Sequence, residues 1–112
     1  MNFYDNINNL VSAFKQTNEY TEYKALKEEL KKTPETYNML KDFKDKQAEL
    51  QMAYINGQEP SKESQEEMEK LYSIIAQNSE CRKLLECEMK INVILADLQR
   101  SLGDAVEELV KF

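Results

Sequence analysis

Cys81 and Cys87 are the most versatile chemical side chains in this 112-residue chain, because it contains no histidine. Without imidazole the usual general base is missing, and with it the Ser-His and Cys-His nucleophile pairs. The Glu-x-x-His di-metal motif of helical bundles is likewise excluded. With only two glycines, at 57 and 103, neither a phosphate-cradling loop nor a dinucleotide fingerprint can be written. The two cysteines lie six residues apart on one predicted helix, about 240° around its axis and ~9 Å along it. At that separation they neither chelate one metal together nor form a disulfide without unwinding the helix. The expected reading is two small core or boundary residues. The sharper one makes either a ligand to a metal or iron–sulfur cluster shared between chains, and no other residue strengthens it. Glu63, Glu66, Glu67 and Glu69 read as the solvated face of a helix. No catalytic, cofactor-binding or metal-binding residue is assigned, and an enzyme is not expected.

The elements that must position these residues are helices. Ala, Leu, Glu, Lys, Gln and Met dominate, and they lose little rotamer freedom in a helix. Phe3, Ile7, Leu10 and Phe14 mark one face of a first helix over about residues 3–16. Thr17 or Asn18 can cap a second, which carries Tyr20, Tyr23, Leu26 and Leu30 and ends at Lys31-Lys32. Thr33-Pro34-Glu35 is the clearest start signal, with Thr33 as N-cap and Pro34 in the first helical position. The third helix shows an inner face of Leu40, Phe43, Gln47, Leu50 and Tyr54 and closes at Gly57. Residues 57–63 form a loop. Ser64 and Glu67 have capping-box spacing for helix four, with Met68, Leu71 and Ile75 inward. Asn78-Ser79 opens the last and longest helix: Leu84, Glu88, Ile91, Leu95, Leu98, Leu102, Ala105 and Leu109, in steps of four and three. Gly103 costs it about 1 kcal/mol relative to alanine, too little to end it.

The expected fold is therefore all-α, a single domain over residues 1–112. It is a bundle of about five helices with a long C-terminal helix and coiled-coil-like packing. Alternating steps of three and four hold an apolar seam against a partner helix over many turns. Leu95 and Leu98 are expected to be buried. The tail of the helix outruns what four shorter helices can cover, so Leu95, Leu98, Leu102, Val106 and Leu109 are predicted to form the interface of a homodimer. Two seam positions are polar, Gln47 and Glu88. Either they set register and partner choice, or the seam is wide enough there for them to reach water.

The charge of −6 opposes a nucleic-acid or anionic-membrane surface. Lys24, Lys27, Lys31 and Lys32 cluster, but Glu22, Glu28 and Glu29 are interleaved with them. The six tyrosines fall mostly at helix-face spacing and read as boundary packing rather than a platform for stacking bases. No cationic, apolar leader opens the sequence, and no run of ~18 apolar residues occurs. With two cysteines and no secretory signal, the expected location is the cytoplasm.

Several short segments occur in an order and spacing that resemble the YlbF/YmcA family of small helical proteins, most closely its YheA-like branch. They are Tyr4-Asp5, Glu22-Tyr23-Lys24, Asp42-Phe43 with Gln47, Gly57-Gln58-Glu59, Leu71 to Ile75, and Leu84 to Glu88 with Asp97. The resemblance implies an all-helical, self-associating protein without known catalysis. Relatives act as adaptors in complexes that adjust RNA processing, competence, sporulation and biofilm formation. No compact cysteine group is present to match cluster-binding relatives, so no cofactor is carried over. The function expected is a non-enzymatic interaction or adaptor protein, with other cytosolic proteins as further partners. The alternative is a nucleic-acid-binding regulator, which the acidic charge disfavours.

Overall fold

A computed structural model of the chain describes residues 2–112. It contains five helices, α1 (Phe3–Lys15), α2 (Asn18–Leu30), α3 (Pro34–Ile55), α4 (Lys62–Ile75) and α5 (Ser79–Val110), and no strand among the described residues. Their boundaries follow local chemistry. The Asp5 amide donates to Asn2 Oδ1 at 2.9 Å while the Asn2 amide donates to Asp5 Oδ2, a reciprocal cap that starts α1. Thr17 Oγ1 donates to the Phe14 carbonyl and accepts from the Tyr20 amide, so one hydroxyl closes α1 and opens α2. Asn78 Oδ1 takes the Cys81 amide at 3.0 Å and begins α5. Gly57, at φ 77°, terminates α3 in the left-handed conformation. Its amide reaches the Tyr54 carbonyl and that of Gln58 the Ala53 carbonyl, which satisfies two of the four orphan acceptors.

The Thr33-Pro34 start signal is found where expected, and one other start signal differs. Thr33 is the N-cap of α3 but makes no side-chain bond there. Pro34 at the first position has no amide to satisfy, so one orphan donor is missing from the start. Helix α4 begins a turn before the Ser64–Glu67 pair. Ser61 is its N-cap and accepts from the Ser64 amide at 3.1 Å. Either serine has the hydroxyl a cap needs, and capping at Ser61 gains a further turn of helical bonds.

The described chain divides into two compact units, one of residues 2–24 and 84–112, the other Ala25–Lys83. In the second, α3 and α4 form an antiparallel hairpin. Phe43 meets Tyr72 with ring centroids 6.0 Å apart, and Lys46 pairs with Glu67, so the partner number falls as the chain number rises. This unit buries Leu30, Leu40, Phe43, Ile75 and Cys81. Arg82 Nη1 donates to the Ala76 carbonyl at 2.7 Å and satisfies an acceptor at the end of α4. The predicted inner face of α3 holds at Leu40 and Phe43, is half-buried at Gln47 and Leu50, and fails at Tyr54, which is exposed.

In the other unit, Leu84 and Cys87 are buried. Along α5 cover then fades: Ile91 and Ile94 are half-buried, Leu98 also, and every residue beyond it is exposed. Leu95, expected to be buried, keeps 36% of its surface exposed within a single chain. The seam is thus real as a pattern, but this chain closes it only at Leu84 and covers it in part as far as Leu98. Truncating a closed site should cost most: Leu84→Ala is expected to lose ~2–5 kcal/mol in chemical denaturation. A loss under about 0.5 kcal/mol would show that Leu84 is not packed as described.

Candidate interaction surfaces

The cysteines that the sequence singles out sit on the first three turns of α5 and carry free thiols. Cys81 is 0% exposed and Cys87 3%. Burial pushes both thiols above their ordinary range, Glu80 adding to the effect at Cys81 and Glu22 at Cys87. A protonated, enclosed thiol is a poor nucleophile and a poor ligand, since both roles need the thiolate. Among the described residues no group of three or more His, Cys, Asp or Glu side chains could hold a metal ion.

The polar seam residues lie apart in the chain and make different contacts. Gln47 is half-buried on α3, and its Oε1 accepts from Lys44 Nζ at 3.0 Å, a bond within its own helix. Glu88 is half-buried on α5, with its Oε2 enclosed by protein.

A shallow groove of about 540 Å³ runs along the α3–α4 hairpin. Asp42, Asp45, Lys46 and Glu49 line it from α3, and Glu67, Lys70, Leu71 and Ile74 from α4. Both sets have the spacing i, i+3, i+4, i+7, so each is one continuous helix face. Four carboxylates stand against two ammonium groups, an excess of two negative charges. The lining offers no hydroxyl, thiol or imidazole, so it holds nothing that attacks a substrate by the covalent routes open to Ser, Thr, Cys or His.

Apolar surface is the most prominent feature elsewhere. The predicted interface residues Leu95, Leu102, Val106 and Leu109 are all exposed, Leu109 to 76%, and Leu98 is half-buried. Val110 and Phe112 extend the same exposed region of the chain. One surface was missed in the sequence. The α1 stripe reads from periodicity as one apolar helix face, and α1 has no buried residue: Phe3, Tyr4, Ile7, Leu10 and Val11 are exposed, Phe3 to 69%. Periodicity identifies which face is apolar and is silent on whether the cover comes from the same chain.

The model of a family described as control of competence regulator ComK, YlbF/YmcA, matches residues 3–107. The chain belongs to the YlbF/YmcA family. Among curated relatives it is similar to a UPF0342 protein of Symbiobacterium thermophilum, 33% identical over 104 residues that cover 93% of each chain. It is also similar to a UPF0342 protein of Caldicellulosiruptor saccharolyticus, 36% identical over 95% of this chain and 88% of that one. A solved protein of unknown function (DUF964) from Bacillus stearothermophilus shares the fold, with a TM-score of 0.76 at 20% identity, covering 95% of this chain and 93% of the other. This YlbF/YmcA protein is therefore all-helical, as its residue pattern requires. No helix of its described residues is long and apolar enough to cross a membrane.

The enclosed thiols of this family member make a pH prediction. Their folded pKa lies above the unfolded value of about 8.5, so their contribution is fully present below that pH. It is lost as pH rises towards the folded pKa, because the unfolded chain ionises first. Denaturation midpoints should therefore fall above pH ~8.5. The double change Cys81→Ala and Cys87→Ala should flatten that fall and keep the helical circular dichroism. A visible absorption band in the purified protein that vanishes in the double variant would restore the cluster-ligand reading.

Proposed function

We propose that this chain is a non-enzymatic helical adaptor, a cytosolic homodimer that presents helical surfaces to other proteins in a regulatory pathway. The observation that carries this reading is the uncovered seam of α5. Leu102, Val106 and Leu109 recur on one helix face and are exposed in the single chain. Soluble monomers avoid contiguous apolar patches of this kind. A second copy covers the seam from Leu95 to Leu109 with closed two-fold symmetry, the commonest solution for a self-complementary patch. Gln47 and Glu88 are assigned as the polar seam positions that hold the helices in register. The family's description, control of a competence regulator, favours a protein partner over a chemical substrate. The net charge of −6 favours the same choice over nucleic acid, whose backbone demands cations.

Light scattering should return twice the 13.2 kDa chain mass. Leu102→Asp with Leu109→Asp should reduce it to one chain mass, since unpaired carboxylates resist burial. A wild-type chain that stays monomeric at high micromolar concentration would defeat the dimer. Mobility shift at low salt should show no retarded duplex, and a retarded band would favour the nucleic-acid regulator instead. Affinity purification from the native cell should return a stable heterologous partner, and repeated failure to find one would favour a self-contained role.

A further inference from the structure

We infer that the surface covering the α5 tail is α1 of the second copy, so that each chain gives its N-terminal helix to the other's C-terminal one. This rests on the dimer reading above and adds the element that completes it. Helix α1 has thirteen residues, close to the length of ~12–15 below which an isolated helix is marginal in water. It is well capped, yet none of its residues is buried. Phe14, at its end, is the half-buried exception to an exposed helix and meets Tyr20 with ring centroids 5.2 Å apart. An amphipathic helix of this length gets most of its stability from packing its apolar face. Within one chain that packing is missing.

The two stripes match, each exposed except at one half-buried end residue, Phe14 and Leu98. Phe3, Ile7, Leu10 and Phe14 advance by four, three and four residues, and so do Leu98, Leu102, Ala105 and Leu109. Each spans eleven residue steps, a rise of about 16 Å. Equal length and equal periodicity let one stripe lie along the other over its whole extent. Charge selects α1 over a second tail as the occupant. Residues 97–111 carry Asp97, Asp104, Glu107 and Glu108 against Arg100 and Lys111, so two tails brought together repel. Helix α1 carries one acid, Asp5, and one base, Lys15, and meets an acidic tail without net charge. Exchanging α1 for α1 between two copies makes the same contact twice and closes the assembly.

Mixing two defective full-length chains tests the arrangement. Ile7→Asp with Leu10→Asp spoils α1, and Leu102→Lys with Leu109→Lys spoils the tail. Each variant alone should have one chain mass by light scattering. Mixed, they should give twice that mass, because one contact is then wild type and the other pairs aspartates with lysines. If tails pair with tails, the α1 variant alone stays dimeric and the inference falls while the dimer survives. If the mixture stays monomeric, reciprocal exchange is wrong. A monomeric wild type defeats both readings. Should either variant lose its helical circular dichroism, amide hydrogen exchange of the wild type decides. On dilution through the dimer transition, α1 and α5-tail amides should lose protection together, by about tenfold or more. Tail amides that respond while α1 does not would overturn the inference.

Discussion

Removing apolar surface from water is the main driving force available to a helical chain of this size, and this one achieves little of it alone. Among the described residues Leu30, Leu40, Phe43, Ile75, Cys81, Leu84 and Cys87 are buried, five of them in the stretch Ala25–Lys83. Everything else depends on that shortage. The α3–α4 hairpin has a core of its own around Phe43 and Ile75. The unit built from the two ends has Leu84 and Cys87, while most of the apolar side chains of α1 and the α5 tail remain wet. Surface ion pairs such as Lys31–Glu28 and Arg100–Asp97 do not make up the difference, since exposed pairs are screened by water and contribute little.

The same shortage shapes the surfaces that the chain presents. An active site needs polar groups held in a partly dry cleft, where their electrostatics are strong. The groove along α3 and α4 is open and lined mainly by charged side chains. The two thiols are enclosed, but as protonated packing groups. What the chain offers at its surface is helix faces, which suits a protein whose family is described by control of a regulator.

Helix existence was legible because hydrophobic periodicity and capping residues agree at each step. Thr17, Asn78 and Gly57 act where their side chain, or lack of one, requires. The misses have local causes. The choice between Ser61 and Ser64 as a cap depends on where helical bonds begin, which residue type alone does not decide. Asn2-x-x-Asp5 has the spacing of a capping box, but Asn and Asp replace the Ser/Thr and Glu/Gln of the usual signature. Tyr54 keeps the period of the α3 inner face yet lies outside the cover that α4 supplies. Leu95 shows the deeper limit: its periodicity is flawless, but burial depends on a neighbour, and a single sequence does not number its own copies.

Helices from opposite ends of the chain share one unit, and this has a consequence for synthesis. Residues 2–24 leave the ribosome before the stretch Ala25–Lys83 and must wait for it to be made before Leu84 and Cys87 follow. At ~5–20 residues per second the wait is roughly three to twelve seconds. Throughout it, Phe3, Ile7 and Leu10 belong to a nascent chain with no completed unit to join. The hairpin of α3 and α4, whose contacts are local in sequence, can form during that interval. Neighbouring ribosomes on one message then carry chains that are half folded and sticky at the leading end. The low charge of α1 gives little repulsion to keep those leading ends apart.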